Sequence, residues 1–193
     1  GTGTGTGTIT DNDAAPIFSI DDVSQNEGNS GTTSYVFTVT KTGNTALSAT
    51  VDYETVNGTA VAPGDYTAIG ITPLTFAPGE TTKQVTVLVN GDTMFESDEA
   101  FTVHLSGASN ATISDANGTG TIVNDDAQPS FVIDDVSHSE GNSGTTSYVF
   151  TVTKVGTTGF GVTVDFQTQD GSATLADNDY QTITGTLNFA ATD

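Results

Sequence analysis

The sequence predicts an all-β protein: tandem Ig-like Greek-key β-sandwiches of about seven strands each, arranged end to end. Three observations carry that expectation. PIFSIDDVSQNEGNSGTTSYVFTVTK at 16–41 returns as PSFVIDDVSHSEGNSGTTSYVFTVTK at 129–154, an internal repeat at an offset of 113 residues that sets the domain size. Apolar and polar residues alternate at period two in run after run, as strands with one buried and one wet face require. Gly- and Asn-rich breaks separate those runs, and no stretch sustains a helical period.

Residues 1–13 end in GTGTITDND, which parallels GTGTIVNDD at 118–126. They are expected to be the last strand of a preceding repeat, with Asp11 and Asp13 as its terminal acids. Residues 14–126 hold one complete domain. Within it, SYVFTVTK (34–41) sets Tyr35, Phe37 and Val39 on one face, residues 83–89 do the same with Val85, Val87 and Val89, and AFTVHLS (100–106) with Phe101, Val103 and Leu105. Turns are expected at 28–31, 43–44, 57–58, 78–79, 90–91 and 117–118. Residues 127–193 are the N-terminal part of a further domain. They carry no counterparts of Val85–Val89, Phe101–Leu105 or Ile122, so this domain is expected to leave apolar faces and strand edges open. The expected remedy is continuation of the chain, with strand exchange from another copy, donated by residues 3–10, as the alternative.

Charge narrows the function. There are 24 Asp and Glu against 3 Lys and Arg, for a net charge of −21. Phosphate recognition draws on clustered Lys and Arg, so no nucleic-acid partner is expected. No run approaches the ~20 apolar residues of a membrane helix, so no membrane insertion is expected. The absence of cysteine removes disulfides, thiolate metal sites and thiol nucleophiles. His104 is expected outward on a strand and His138 in a loop where the first repeat carries Gln25, so the repeat does not require an imidazole there. Neither histidine has a catalytic motif around it, and no enzymatic activity is expected. Many acids lie in or beside turns, and turns far apart in sequence can meet at one end of a sandwich. Acids gathered there repel one another unless a cation sits among them; Ca2+, with 6–8 oxygen ligands at flexible geometry, suits such a place. An isolated acid in a turn is otherwise ordinary turn chemistry.

The ordered runs DYETVNGTAVAPGDY (52–66), ITPLTFAPGE (71–80), VTVLVNGDTMFESDEAFTVHLSG (85–107) and GTGTIVNDD (118–126) resemble the Calx-β domain family, Ca2+-binding β-sandwich modules of sodium–calcium exchangers and of large bacterial surface proteins. The resemblance spans the whole unit and is repeated in DFQTQDGSATLADNDY (165–180), with one inserted residue before Asp179. It implies Ca2+ as the bound ion and a set of ligands. Glu27 matches the early glutamate, Asp65 the aspartate of the G-x-D-Y run, Asp92 and Glu96 the acidic D-x-x-x-E segment, and Asp125 and Asp126 the cluster after the last strand. The Met94 carbonyl is a backbone candidate. In the further domain, Glu140 and Asp179 are the corresponding ligands. Gly91, Thr93 and Asn124 stand where the ion-rich version of the family has aspartates, which implies one or two weaker sites, toward the ~10⁻⁴–10⁻³ M affinities of extracellular modules.

TDNDAAPIF (10–18) and NDDAQPSF (124–131) also echo the acidic inter-domain linker of cadherins, without that family's mid-domain acidic motifs. A short acidic junction closed by Pro16 or Pro129 leaves little hinge, because proline fixes φ and restricts its predecessor. The expected function is a calcium-stiffened repeat segment of a large extracellular adhesin, filament or matrix protein, secreted or at the cell surface, with neighbouring repeats as its partners. The alternative is a calcium-responsive regulatory binding module that controls inter-domain geometry or an attached partner.

Overall fold

Alternation in the sequence becomes a closed core only where strands find neighbours. A computed structural model describes residues 1–10 and 12–191, and the chain divides into two compact units. The first comprises residues 1–27, 32–91 and 98–123; the second comprises 28–31, 92–97 and 124–193.

The first unit is a two-sheet sandwich. Its strands, in chain order, are β1 (Ile17–Ile20), β2 (Val23–Asn26), β3 (Gly31–Thr42), β4 (Ala49–Asn57), β5 (Thr72–Phe76), β6 (Thr82–Gly91), β8 (Glu99–Ser109), β9 (Thr112–Ile113) and β10 (Asn117–Val123). One sheet has the order β6-β3-β1-β9, the other β2-β10-β8-β4-β5. The expected inward faces are the observed ones. Tyr35, Phe37 and Val39 of β3, Val85, Val87 and Val89 of β6, and Phe101, Val103 and Leu105 of β8 are all buried in one cluster. Phe101 is its centre: its ring stacks on Tyr66 at 4.5 Å and lies 6.0 Å from those of Tyr35 and Phe37.

Two details differ from the expectation. Nine strands form where about seven were expected, partly because the first strand breaks at Asp21–Asp22 and divides between the sheets. Asp21 Oδ1 accepts the Thr38 N–H at 2.6 Å and Asp22 Oδ1 accepts the Thr119 N–H at 2.6 Å, so adjacent carboxylates tie the break to each sheet. Asn117–Gly118 is not a turn but the start of β10. Its glycines serve close approach: a Cβ on Gly118 would lie 2.5 Å from the Asp21 carbonyl oxygen, and one on Gly120 would lie 2.4 Å from Phe101 Cζ.

The strand expected over residues 3–10 does not form; residues 1–10 are exposed and pair with nothing, and a β-strand has no backbone hydrogen bonds without a neighbour. Asp11 lies outside the described residues.

The second unit holds three separate strand pairs. β11 (Ser130–Ile133) pairs antiparallel with β12 (Val152–Val155), β14 (Val162–Gln167) antiparallel with β15 (Thr184–Phe189), and β7 (Met94–Phe95) parallel with β13 (Thr157–Thr158). Phe131 meets Phe189 at 5.1 Å, repeating the Phe18–Phe76 contact of the first unit at the same distance. Ile133 is 61% exposed where Ile20 is 4%, and Phe150 is 51% exposed where Phe37 is 0%. No helix among the described residues is long and apolar enough to cross a membrane.

Candidate metal centre

Two segments of the second unit, carrying four of the expected ligands (Asp92, Glu96, Asp125 and Asp126), are tied together by hydrogen bonds. The segment after β6 turns on Asp92, whose Oδ1 accepts the Met94 N–H at 2.6 Å, an Asx turn that leads straight into β7. After β7, the Glu96 N–H donates to Asn124 Oδ1 at 2.9 Å, and Asn124 Nδ2 donates to the Asp126 carbonyl at 3.1 Å. Asn124 therefore fastens the 92–97 segment to the segment that carries Asp125 and Asp126. Asp125 Oδ1 accepts the N–H of Gly28 at 3.1 Å; Gly28 has φ of 85°, the left-handed region open to glycine. Gly159 lies so near Glu96 that a Cβ there would be 2.5 Å from Oε1.

Asp126 is the anomaly. Its Oδ2 is buried and has no hydrogen-bond partner. Desolvation raises its pKa above the ordinary aspartate value, and the negative charges of Asp125 and Asp92 raise it further. An unpartnered buried carboxylate oxygen is costly unless a charge or donor meets it. Among the described residues no three acids converge closely enough to share one ion, and Asp92 and Asp125 each accept a backbone N–H through Oδ1.

The other expected ligands sit elsewhere. Glu27, in the first unit, is buried; its N–H donates to the Val123 carbonyl at 3.3 Å and its carbonyl accepts the Thr33 hydroxyl. Its counterpart Glu140 keeps the same bond, from the Thr146 hydroxyl at 2.5 Å, but is exposed. Asp65, also in the first unit, closes its own turn: Oδ2 accepts the Val61 N–H at 2.5 Å. Asp179 repeats this with the Thr174 N–H at 2.9 Å. The next residue in each repeat completes the lock, as the Tyr66 hydroxyl donates to Asn57 Oδ1 and the Tyr180 hydroxyl to Asp170 Oδ1, both at 2.6 Å. The Asp-Tyr pair at 65–66 and again at 179–180 thus holds its turn. His104 Nδ1 meets Asn117 Oδ1 at 2.8 Å, and the His138 ring packs edge-on to Tyr148.

Sequence reasoning passed over Asn124, counted only as a missing aspartate, and the Asp21–Asp22 pair. The available signal for the pair was its recurrence as Asp134–Asp135 inside a strand-like run that has no turn residues.

The Calx-beta domain profile matches this chain twice, over residues 11–127 and 124–193. The chain belongs to the Calx-beta domain family. Sodium/calcium exchanger 1 of Canis lupus familiaris is 33% identical over 161 residues, covering 72% of the chain but 16% of the exchanger; that of Mus musculus is 44% identical over 64 residues, 33% of the chain and 6% of the exchanger. The chain thus spans a small part of the relatives it matches. Among solved structures, the apo-form Calx CBD1 domain is 26% identical with a TM-score of 0.53, covering 58% of this chain and all of that one. Calcium binding domain CBD12 of CALX1.1 has a TM-score of 0.52 at 23% identity, over 90% of this chain and 70% of that one, and shows the same fold.

In this Calx-beta chain the acids beside Asp126, Asp125 and Asp92, offer carboxylate oxygens, and the sequence has no cysteine. Such a set suits a hard cation and offers little to a transition metal. The orphaned Asp126 Oδ2, with two like charges beside it, fits that chemistry directly.

Proposed function

We propose that this chain is a Ca2+-binding structural segment, a stiffened run of Calx-beta repeats in a large secreted or cell-surface adhesin, filament or matrix protein, with no catalytic role. Asp92, Glu96, Asp125 and Asp126, with the Met94 carbonyl, are the principal ligands; Glu27 and Asp65 of the first unit, and Glu140 and Asp179 of the second, are the further candidates. The observation that carries the reading is the buried, unpartnered Oδ2 of Asp126 among the charges of Asp92 and Asp125. A bound cation supplies the partner this oxygen lacks and neutralises the repulsion that raises its pKa. The acidic composition, with 24 acids to 3 bases and no cysteine, supports an extracellular, ion-rich setting. A second reading, a calcium-responsive module that regulates inter-domain geometry or an attached partner, is favoured by the similarity to sodium/calcium exchanger 1 and to the calcium binding domain CBD12.

Thermal unfolding in Ca2+ and in chelator tests the shared core of both readings. At ten times Kd, one ion bound only by the folded state adds about 1.4 kcal/mol, since the gain is RT ln(1 + [L]/Kd). For a domain of this size that is a rise of roughly 5 °C in Tm. Asp126→Asn and the pair Asp92→Ala with Glu96→Ala remove most of the rise. No rise in the native protein, or an equal rise in the variants, overturns the assignment. Solution scattering with and without Ca2+ separates the two readings: a maximum dimension unchanged by Ca2+ supports the structural segment, and a large change supports the regulated hinge.

A further inference from the structure

An Asn-Gly pair carries its own latent chemistry. Glycine has no Cβ to hinder the approach of its amide nitrogen to the preceding carboxamide carbon. The chain has three such pairs, Asn57-Gly58, Asn90-Gly91 and Asn117-Gly118. All belong to the first unit, and the fold holds each in a different way.

Asn117 and Gly118 lie inside β10, in register with His104 and Val103 of β8. Asn117 Oδ1 meets His104 Nδ1 at 2.8 Å, but Gly118 is buried against Ile20 and the Asp21 carbonyl and is fixed in the extended ladder. Asn90 and Gly91 are the last two residues of β6, and the Asn90 carboxamide is held by its nitrogen. Nδ2 donates to the carbonyls of Pro63 at 3.0 Å and Gly64 at 2.6 Å. Asn57 is the last residue of β4 and Gly58 lies beyond the strand, both exposed. Here the carboxamide is held by its oxygen. Asn57 Oδ1 accepts the Tyr66 hydroxyl at 2.6 Å and the Ala62 N–H at 3.1 Å, while Nδ2 donates to nothing among the described residues. The Gly58 N–H reaches the Ala60 carbonyl, at 3.2 Å within the same turn.

Attack on a carboxamide builds negative charge on its oxygen and expels its nitrogen. Two donors aimed at Oδ1 stabilise that charge, as an oxyanion hole does. An unpinned Nδ2 is free to take up a proton and leave. Asn90 has the opposite arrangement, with two carbonyls on the departing nitrogen. The second unit shows that the fold accepts an acid at this place. At the offset of 113 residues the counterpart of Asn57 is Asp170. Its Oδ1 accepts the Tyr180 hydroxyl at 2.6 Å and the Leu175 N–H at 3.0 Å, the same two bonds from the corresponding residues.

We infer that Asn57 is a self-modification site that deamidates through Gly58 in the folded protein. The Gly58 nitrogen gives up its proton to water and bonds to Asn57 Cγ; the Cγ–Nδ2 bond breaks and ammonia leaves, closing a succinimide ring. Water then opens the ring. Opening at Cγ gives aspartate at position 57, and opening at the backbone carbonyl gives isoaspartate. The net change is carboxamide plus water to carboxylic acid plus ammonia, with no oxidant or cofactor. The aspartate product takes up the lock seen at Asp170 and adds a negative charge to the turn that Asp65 closes.

Peptide mapping by mass spectrometry tests this on the whole chain aged at mildly alkaline pH, folded and in urea. The amide-to-acid mass gain is read at each Asn-Gly pair, and the rate in urea, where only local sequence acts, is the reference. The folded-to-urea rate ratio at Asn57 is expected to exceed those at Asn90 and Asn117 by at least ~10-fold, the scale of an oxyanion donor's effect. Tyr66→Phe keeps the buried ring and removes one donor to Oδ1, so it slows the folded reaction at Asn57 by ~10-fold or more. A turn that was merely loosened by this substitution would react faster. Asn57→Asp is expected to unfold at the native midpoint. A ratio at Asn57 no higher than at the other two pairs, a Tyr66→Phe protein that reacts as fast or faster, or a lowered midpoint in Asn57→Asp overturns the inference.

Discussion

The chain contains its own control for the worth of a closed sandwich. GTTSYVFTVTK occurs at 31–41 and again, unaltered, at 144–154. In the first copy Phe37 is fully buried, with its ring edge-on to Phe101 at 6.0 Å; in the second, Phe150 is half exposed. Phe37→Ala removes a buried ring and leaves a cavity, at a cost of about 3–5 kcal/mol. Phe150→Ala loses only part of the ~1.5–3 kcal/mol of full burial and creates no enclosed void, so its cost is about 1 kcal/mol. At roughly 4 °C per kcal/mol for a domain of this length, Phe37→Ala lowers the sandwich transition by about 12–20 °C, and Phe150→Ala leaves that transition nearly in place. Differential scanning calorimetry in chelator, which holds ion linkage constant, measures both. Equal shifts from the two substitutions would refute the reasoning, since identical local sequence would then outweigh the strands packed over it.

Gly120→Ala forces a Cβ to within 2.4 Å of Phe101 Cζ and costs about 1–3 kcal/mol by overpacking. Gly7→Ala, where a Cβ meets nothing within 4 Å, leaves the midpoint unchanged, and urea titration of the two variants checks both. For Asp126, the raised folded pKa means that the protonated carboxyl favours the native state; in chelator its contribution is full below about 3.9 and is lost as pH rises through the raised value. Asp126→Asn therefore matches the native protein in acid, exceeds it at neutral pH in chelator, and falls below it in Ca2+, an ordering that urea midpoints at each pH check directly. Asp65→Ala removes the bond to the Val61 N–H and destabilises by about 0.5–1.5 kcal/mol, whereas Asp65→Asn keeps an acceptor there and loses only ligand charge. If the two variants have the same stability in chelator, the turn-holding role is wrong.

Much of the candidate centre was legible as residue types but not as geometry. Asp92, Glu96, Asp125 and Asp126 could be picked from spacing and resemblance, and Asn124 ties the two segments that carry them. What spacing could not supply is the division of labour among them. Asp92 and Asp125 spend an oxygen on backbone N–H groups, while Asp126 keeps one buried and unpartnered. That difference depends on Gly28, Met94 and Asn124, which come from three segments far apart in sequence. Asp65 illustrates the converse: it reads as a ligand by resemblance, and its carboxylate is engaged in closing the turn.

By itself the sequence determined the repeat length, the strand faces and the acidic, cysteine-free chemistry, because period-two alternation and turn residues act locally and are unaffected by what lies across the core. Whether a strand exists at full length was decided by tertiary structure. The same eleven residues lie in a twelve-residue strand, Gly31–Thr42, in one repeat, and in the other contribute only the first three residues of the four-residue strand Val152–Val155. In the first, β6 and β1 supply backbone partners on both sides and the opposite sheet removes Tyr35, Phe37 and Val39 from water. In the second, Tyr148, Val149 and Phe150 are exposed to water, so local preference alone does not offset the entropy of an ordered strand.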